Sequence, residues 1–272
     1  MKFLSRFYIA LIFLILYAPI LVVILFSFNR SGSLSQFSGF SFYWYRELFR
    51  DGEALKALKN SLILAVLSSL LATVLGTLCA FAIDRSKRKW FARSVETVTN
   101  IPMMNPDIVT GVSMMLLFVG VAGLLKTASL LGFWTMLIAH TTFNLPYVML
   151  SVLPKLRQMD NSLSEAALDL GCTPAQTFFR VELPSILPGV LSGLMMSFTL
   201  SLDDFVISHF VSSADFRTLP LYIYNQTAHE VKFSMYALCT LIILVILALL
   251  IAVNFAGSVG QRRQRRKVGA RG

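Results

Sequence analysis

Cysteine, histidine and acid are all scarce in this chain of 272 residues, which has three cysteines, three histidines and 14 aspartates and glutamates. Cys79, Cys172 and Cys239 are odd in number and lack metal-ligand spacing, so neither a disulfide framework nor a thiolate metal site is supported. No phosphate-binding GxxxxGK loop and no G-x-G-x-x-G turn occurs, and no catalytic constellation takes their place. No cleavable leader is expected either. Lys2 and Arg6 precede an apolar run from Phe7 to Phe28 that is too long for a signal-peptide core and has no small-x-small cleavage site. That run reads as an uncleaved first span.

What remains is apolar. Hydrophobic residues make up 56% of the chain, above the roughly 45–50% of soluble domains. They come in blocks long enough to cross a bilayer, which takes about 20 residues. Six spans are predicted, at 7–28, 59–83, 95–125, 132–153, 186–211 and 234–257, giving an all-α polytopic membrane protein in a single domain, 1–272. The third is overlong and contains Pro102, Pro106 and Gly111, so it is expected to break near its start.

The net charge of +10 would suggest nucleic acid in a soluble protein. Here the basic residues gather in alternate connections, as the positive-inside rule requires. They lie at Lys2 and Arg6, from Arg85 to Arg93, at Lys155, Arg157 and Arg180, and in the tail "QRRQRRK" from Gln261. Both termini and the 154–185 connection are therefore expected in the cytoplasm, with the tail against anionic lipid. Loops at 29–58 and 212–233 fall outside.

The 154–185 connection is longer than loops usually are unless they work, and reads as a docking surface or as an ordinary ordered loop. Ser162-x-x-Glu165 reads as a capping box, with a short helix to about Leu170 and Gly171 in the left-handed position after it. Thr173-Pro174-Ala175-Gln176 starts a second helix, expected to stop before Leu183-Pro184, with Pro188 opening span five. Ala166 and Ala167 admit a close partner, while Phe178 and Phe179 need burial.

Within the fifth span, Ser197, Ser201, Asp204 and Ser208 are spaced to share one helical face, with Thr199 and Asp203 on a neighbouring stripe. Intramembrane carboxylates usually face a bundle interior or water. With Asp107 in the broken third span they would suit a solute bearing separated ammonium groups. The alternative is structural, with Asp107 capping a helix and Asp203 and Asp204 paired or interfacial. Trp44 reads as an interfacial anchor or as a ring face for a cation. His140, Asn144 and Pro146 read as interhelical bonding and a kink.

Glu165-Ala-Ala-x-x-x-Gly171, followed by Val181-x-Leu-Pro184, resembles the EAA loop of permease subunits of ABC importers; the family has Ile where this chain has Val181. "YAPILVVILFSFN" (17–29), "PDIVTGVSMMLLF" (106–118) and "SFTLSLDDFVISHFVS" (197–212) resemble the spermidine/putrescine permeases, most like their second permease subunit. The resemblance implies the type I importer fold and an ATP-driven, alternating-access pathway for a polyamine, or for iron or another small solute. It implies four partners: a second, different permease chain, two copies of an ATP-binding subunit, and an extracytoplasmic solute-binding protein. Glu165, Ala166, Ala167 and Gly171 would contact the ATPase. ATP and Mg would belong to that subunit, leaving this chain without cofactor or metal. Asp107, Asp203, Asp204, Ser201 and Trp44 would face the solute. An ion-coupled secondary transporter would be expected to show inverted repeats, and an intramembrane aspartyl protease a Gly-x-Gly-Asp motif; neither is present.

Overall fold

The computed structural model describes residues 2–33, 36–127, 130–228, 232–248 and 251. Among these the chain is helical, with one isolated β-bridge between Asn29 and Phe40. In order the helices are α1 (Lys2–Ser27), α2 (Tyr43–Leu48), α3 (Gly52–Asp84), α4 (Lys89–Met104), α5 (Asp107–Leu124), α6 (Phe133–Gln158), α7 (Asn161–Asp169), α8 (Pro174–Thr177), α9 (Leu183–Asp203), α10 (Val206–Val211) and α11 (Leu219–Thr227). A shorter apolar helix, α12 (Phe233–Ala248), follows. Among the described residues five helical segments are long and apolar enough to cross a membrane: Arg6–Ser27, α3, α5, α6 and the run Pro174–Asp203. Span six as predicted extends beyond α12, and its end, like the basic tail, lies outside the described residues.

Two predicted spans are revised. The third is two helices, because Pro106 pushes Asn105 out of the helical region to φ −82°, ψ 145°. Only α5 is long and apolar enough to span, and α4 is a separate helix before it. The fifth ends at Asp203: Asp204 is extended (φ −64°, ψ 120°), and α10 begins after it. The 197–208 stripe is thus not one helical face.

The chain divides into two compact units, 1–55 with 223–272, and 56–222. In the first, Asn29 organises the loop after α1. Its buried side chain donates to Ser33 O (2.7 Å) and Gln36 O (2.8 Å) and accepts from Ser38 N (3.0 Å). Phe28, Phe40, Phe42 and Tyr45 pack ring to ring beside it.

The second unit is built around α6. One core joins Ala72, Ala80 and Ile83 of α3 to Val148, Val152 and Leu156 of α6 and Ile186 of α9. Another joins Leu64 of α3, Phe118 of α5, Met136 and Phe143 of α6, and Ile207 and Val211 of α10. Lipid gives packed helices no hydrophobic reward for meeting, so close approach through small residues does the work. Gly189 and Gly193 of α9 lie four apart against α6. A Cβ on Gly189 would come within 2.8 Å of Ser151 O and 2.7 Å of Lys155 Cγ. Gly76 of α3 meets Val148 as closely, at 2.8 Å.

Gly189→Ala should therefore push α9 off α6 and cost about 1–3 kcal/mol, read as a lowered thermal midpoint in detergent. Gly120→Ala, at a position with open space around it, should leave the midpoint unchanged.

Candidate functional site

The segment between α6 and α9 folds as α7, a glycine corner and α8. The N-cap of α7 is Asp160, not Ser162. The Asp160 carboxylate accepts from the Ser162 amide at 3.0 Å. Hydrogen bonds from the Ser162 amide and hydroxyl hold its pKa below the ordinary aspartate value. Asp160 wins because it sits one residue ahead of the helix, where a short acceptor reaches the first free amides.

The helix closes as a Schellman motif. Cys172 N donates to Ala167 O (3.0 Å), Gly171 N donates to Leu168 O (2.9 Å), and Gly171 takes φ +85°. The second capping box forms as expected: Thr173 N donates to Gln176 Oε1 (3.0 Å) and Gln176 N to Thr173 Oγ1 (3.3 Å).

The second helix does not stop before Leu183-Pro184. It runs through a π-helical turn, Phe178–Glu182, straight into α9, so Pro188 lies inside that helix. Pro184 has no amide proton, and its ring would clash with a tight preceding turn. The wider turn, in which Leu183 N reaches back five residues to Phe178 O, relieves both. Phe178 is half-buried against Phe81 of α3, centroids 4.9 Å apart, whereas Phe179 is exposed, contrary to expectation.

Glu165, Ala166 and Gly171 lie on the exposed side of this segment, and Ala167 faces inward. Leu163, Leu168 and Leu170 widen the exposed face into an apolar one. Behind it, Glu182 is buried at the root of α9. It pairs with Arg85 from the end of α3 and accepts from the Ser164 hydroxyl of α7 at 2.7 Å. The sequence carried no local signal for this contact, since Arg85 and Glu182 are 97 residues apart.

A second polar cluster sits at the break after α9. His140 of α6 is buried, its Nδ1 2.8 Å from Ser201 Oγ and its Nε2 3.2 Å from Ser208 Oγ. Ser201 also meets Ser68 of α3 at 2.8 Å. The Asp204 carboxylate accepts from Ile207 N (3.2 Å) and Ser208 N (2.7 Å), capping α10, and lies 3.5 Å from His140 Nε2. Four helices are thus tied at one place. The expected interhelical role of His140 is the geometry found, while Asp204 and Ser201 are engaged in the joint. Asp203 is exposed beside it, and Asp107 is exposed in the first turn of α5, where the helix dipole favours an anion. Among the described residues no bond joins Asp107 to Asp203 or Asp204. Trp44 belongs to the other unit, donating from Nε1 to Asn29 O at 2.7 Å with Phe233 against its ring.

Long apolar helices joined by buried polar contacts, with a capped two-helix segment before α9, mark a polytopic membrane protein. Residues 72–267 match the family described as "Binding-protein-dependent transport system inner membrane component", and the chain belongs to that family. It is 38% identical to the putrescine transport system permease protein PotI of Escherichia coli K12, over 85% of this chain and 82% of that one. It is 37% identical to the spermidine/putrescine transport system permease protein PotC of Haemophilus influenzae, over 92% of this chain and 94% of that one. In fold it is similar to a chain of a bacterial ABC transporter involved in the import of alginate, with TM-score 0.75, 17% identity, and 96% and 95% of the chains covered.

Asp204→Ala should cost about 1–2 kcal/mol, the loss of a helix cap, while Asp203→Ala should stay within about 0.5 kcal/mol of the parent. Thermal unfolding of the two purified variants checks the difference.

Proposed function

We propose that this chain is one permease subunit of an ATP-driven importer of a polyamine, putrescine or spermidine. The observation that carries the solute is the similarity, over most of the chain, to permeases named for those solutes. The family match runs across the division between Tyr222 and Ile223, which supports one permease domain over the whole chain, placed with both termini in the cytoplasm.

A second permease chain completes the pathway, and a solute-binding protein docks outside, on the loop pinned by Asn29 and Trp44. One of two ATP-binding subunits docks on α7 and the other on the second permease chain. They hold the ATP and Mg, and this chain binds neither. Glu165, Ala166 and Gly171 form the contact face, joined by the exposed leucines, with Ala167 packed behind them. A docking face needs apolar area that stays soluble until covered, and α7 offers it next to a carboxylate. Asp107 and Asp203 are the carboxylates exposed to meet ammonium groups; Ser201 and Asp204 fix the joint that carries Asp203.

The test is uptake of labelled putrescine and spermidine by cells expressing the whole system. Removing this subunit should abolish uptake of at least one of them. Unchanged uptake of both would move the solute to another small molecule. Glu165→Ala should keep the protein in the membrane yet lower ATP-driven uptake by about 5-fold or more, a typical coupling loss.

A further inference from the structure

The end of α3 and the π turn ahead of α9 meet through two pairs with the same spacing. Phe81 meets Phe178, and four residues on in each element Arg85 meets Glu182. The Arg85 guanidinium also lies over the Phe81 ring, 5.5 Å from its centre, so the two pairs brace each other. The same Glu182 Oε1 that takes the Arg85 ion pair accepts from Ser164 Oγ of α7. Ser164 is buried and immediately precedes Glu165. One buried carboxylate therefore touches the docking helix, the end of one spanning helix and the root of another. Its second oxygen, Oε2, has no hydrogen-bond partner among the described residues.

We propose that Glu182 is the positioning residue that makes α7, the end of α3 and the root of α9 move as one body, so that displacement of α7 reaches both spans. This rests on the importer reading above. An apolar contact lets packed surfaces slide; a charge-assisted bond to two donors on different helices fixes their register. Ser164 is on the buried side of α7 while Glu165 and Ala166 are exposed, so a push on them is passed through the helix to the carboxylate. With Arg85 or Ser164 removed, α7 would still dock, but its movement would be taken up in the segment rather than in the spans. Glu182 is thus separable from the residues that touch the ATPase.

The experiment uses the complete transporter in proteoliposomes with its ATP-binding subunits and binding protein. Putrescine and spermidine uptake and ATP hydrolysis are measured on the same preparation of E182A, R85Q, S164A and the exchange variant R85E/E182R. E182A and R85Q should keep the ATP-binding subunits bound and hydrolysing, with polyamine carried per ATP reduced roughly tenfold, as for a lost coupling between sites. S164A, which leaves the ion pair intact, should show a smaller loss of the same kind. R85E/E182R should recover part of the ratio. A merely structural role would lower assembly, hydrolysis and uptake together and leave the ratio unchanged, which would overturn the proposal. If E182A does not assemble, S164A decides on the same ratio. If the unsubstituted complex shows ATP-driven uptake of neither putrescine nor spermidine, the polyamine importer reading falls, and the proposal with it.

Discussion

Hydrocarbon offers no partner to an amide proton, so a helix in an apolar chain can be interrupted only where a side chain or a neighbouring element answers for the lost bonds. The interruptions here obey that constraint. After Asp203 the backbone turns extended, and the Asp204 carboxylate turns back to take the first free amides of α10. Before α9, Pro184 would orphan a carbonyl and crowd a turn, and the helix widens to a π turn instead of ending. Each irregular point then becomes a place where several helices are tied. His140 and its serines gather at the first, and Arg85, Glu182 and Ser164 at the second.

Packing follows from the same solvent. With lipid as apolar as leucine, α3 and α9 hold α6 through close approach at Gly76, Gly189 and Gly193 and through buried hydroxyls and imidazole, not by hiding grease from water. Much of the apolar side-chain surface accordingly stays exposed on α1, α3 and α5. The buried ledger is instead rich in serine and threonine, with Ser68, Ser197, Ser201 and Ser208 among them. Those groups make the unit specific in register more than they make it stable.

Legibility in the sequence tracked the range of the cause. The Thr173–Gln176 box and the left-handed Gly171 are decided by residues within one turn, and they formed as read. The break near Pro106 was legible because proline acts on its own neighbour. The break at Asp204 was not: a serine-rich 3.6-residue stripe across it looks helical, and only the tertiary contacts with His140 and Ser68 make the interrupted form worth adopting. The cap of α7 was misplaced by two residues, because Asp160 and Ser162 are both good capping types. Glu182 was invisible, since its partners come from α3 and α7 and periodicity carries no information about pairs so far apart. The motif groups Glu165, Ala166, Ala167 and Gly171, yet Ala167 turns inward, a matter of helix phase that the motif alone does not give.

An ion pair to a buried carboxylate adds little net stability, because desolvation offsets much of the attraction, yet removing the partner is costly because it leaves that charge unanswered; here Glu182 is buried while Arg85 is half-exposed, which lessens both effects. That asymmetry suits a joint that must carry displacement. A contact that only stabilised could be apolar at no loss, and the neighbouring Phe81–Phe178 pair is of that kind. A contact that must hold two helices at one register while a third is pushed needs a penalty that rises steeply on displacement. A carboxylate between a guanidinium and a hydroxyl supplies it, since moving either donor leaves a buried charge short of partners. On the importer reading proposed above, work reaches this subunit through α7. The stiffness of the contacts behind α7 therefore sets how much of that work arrives at the spans.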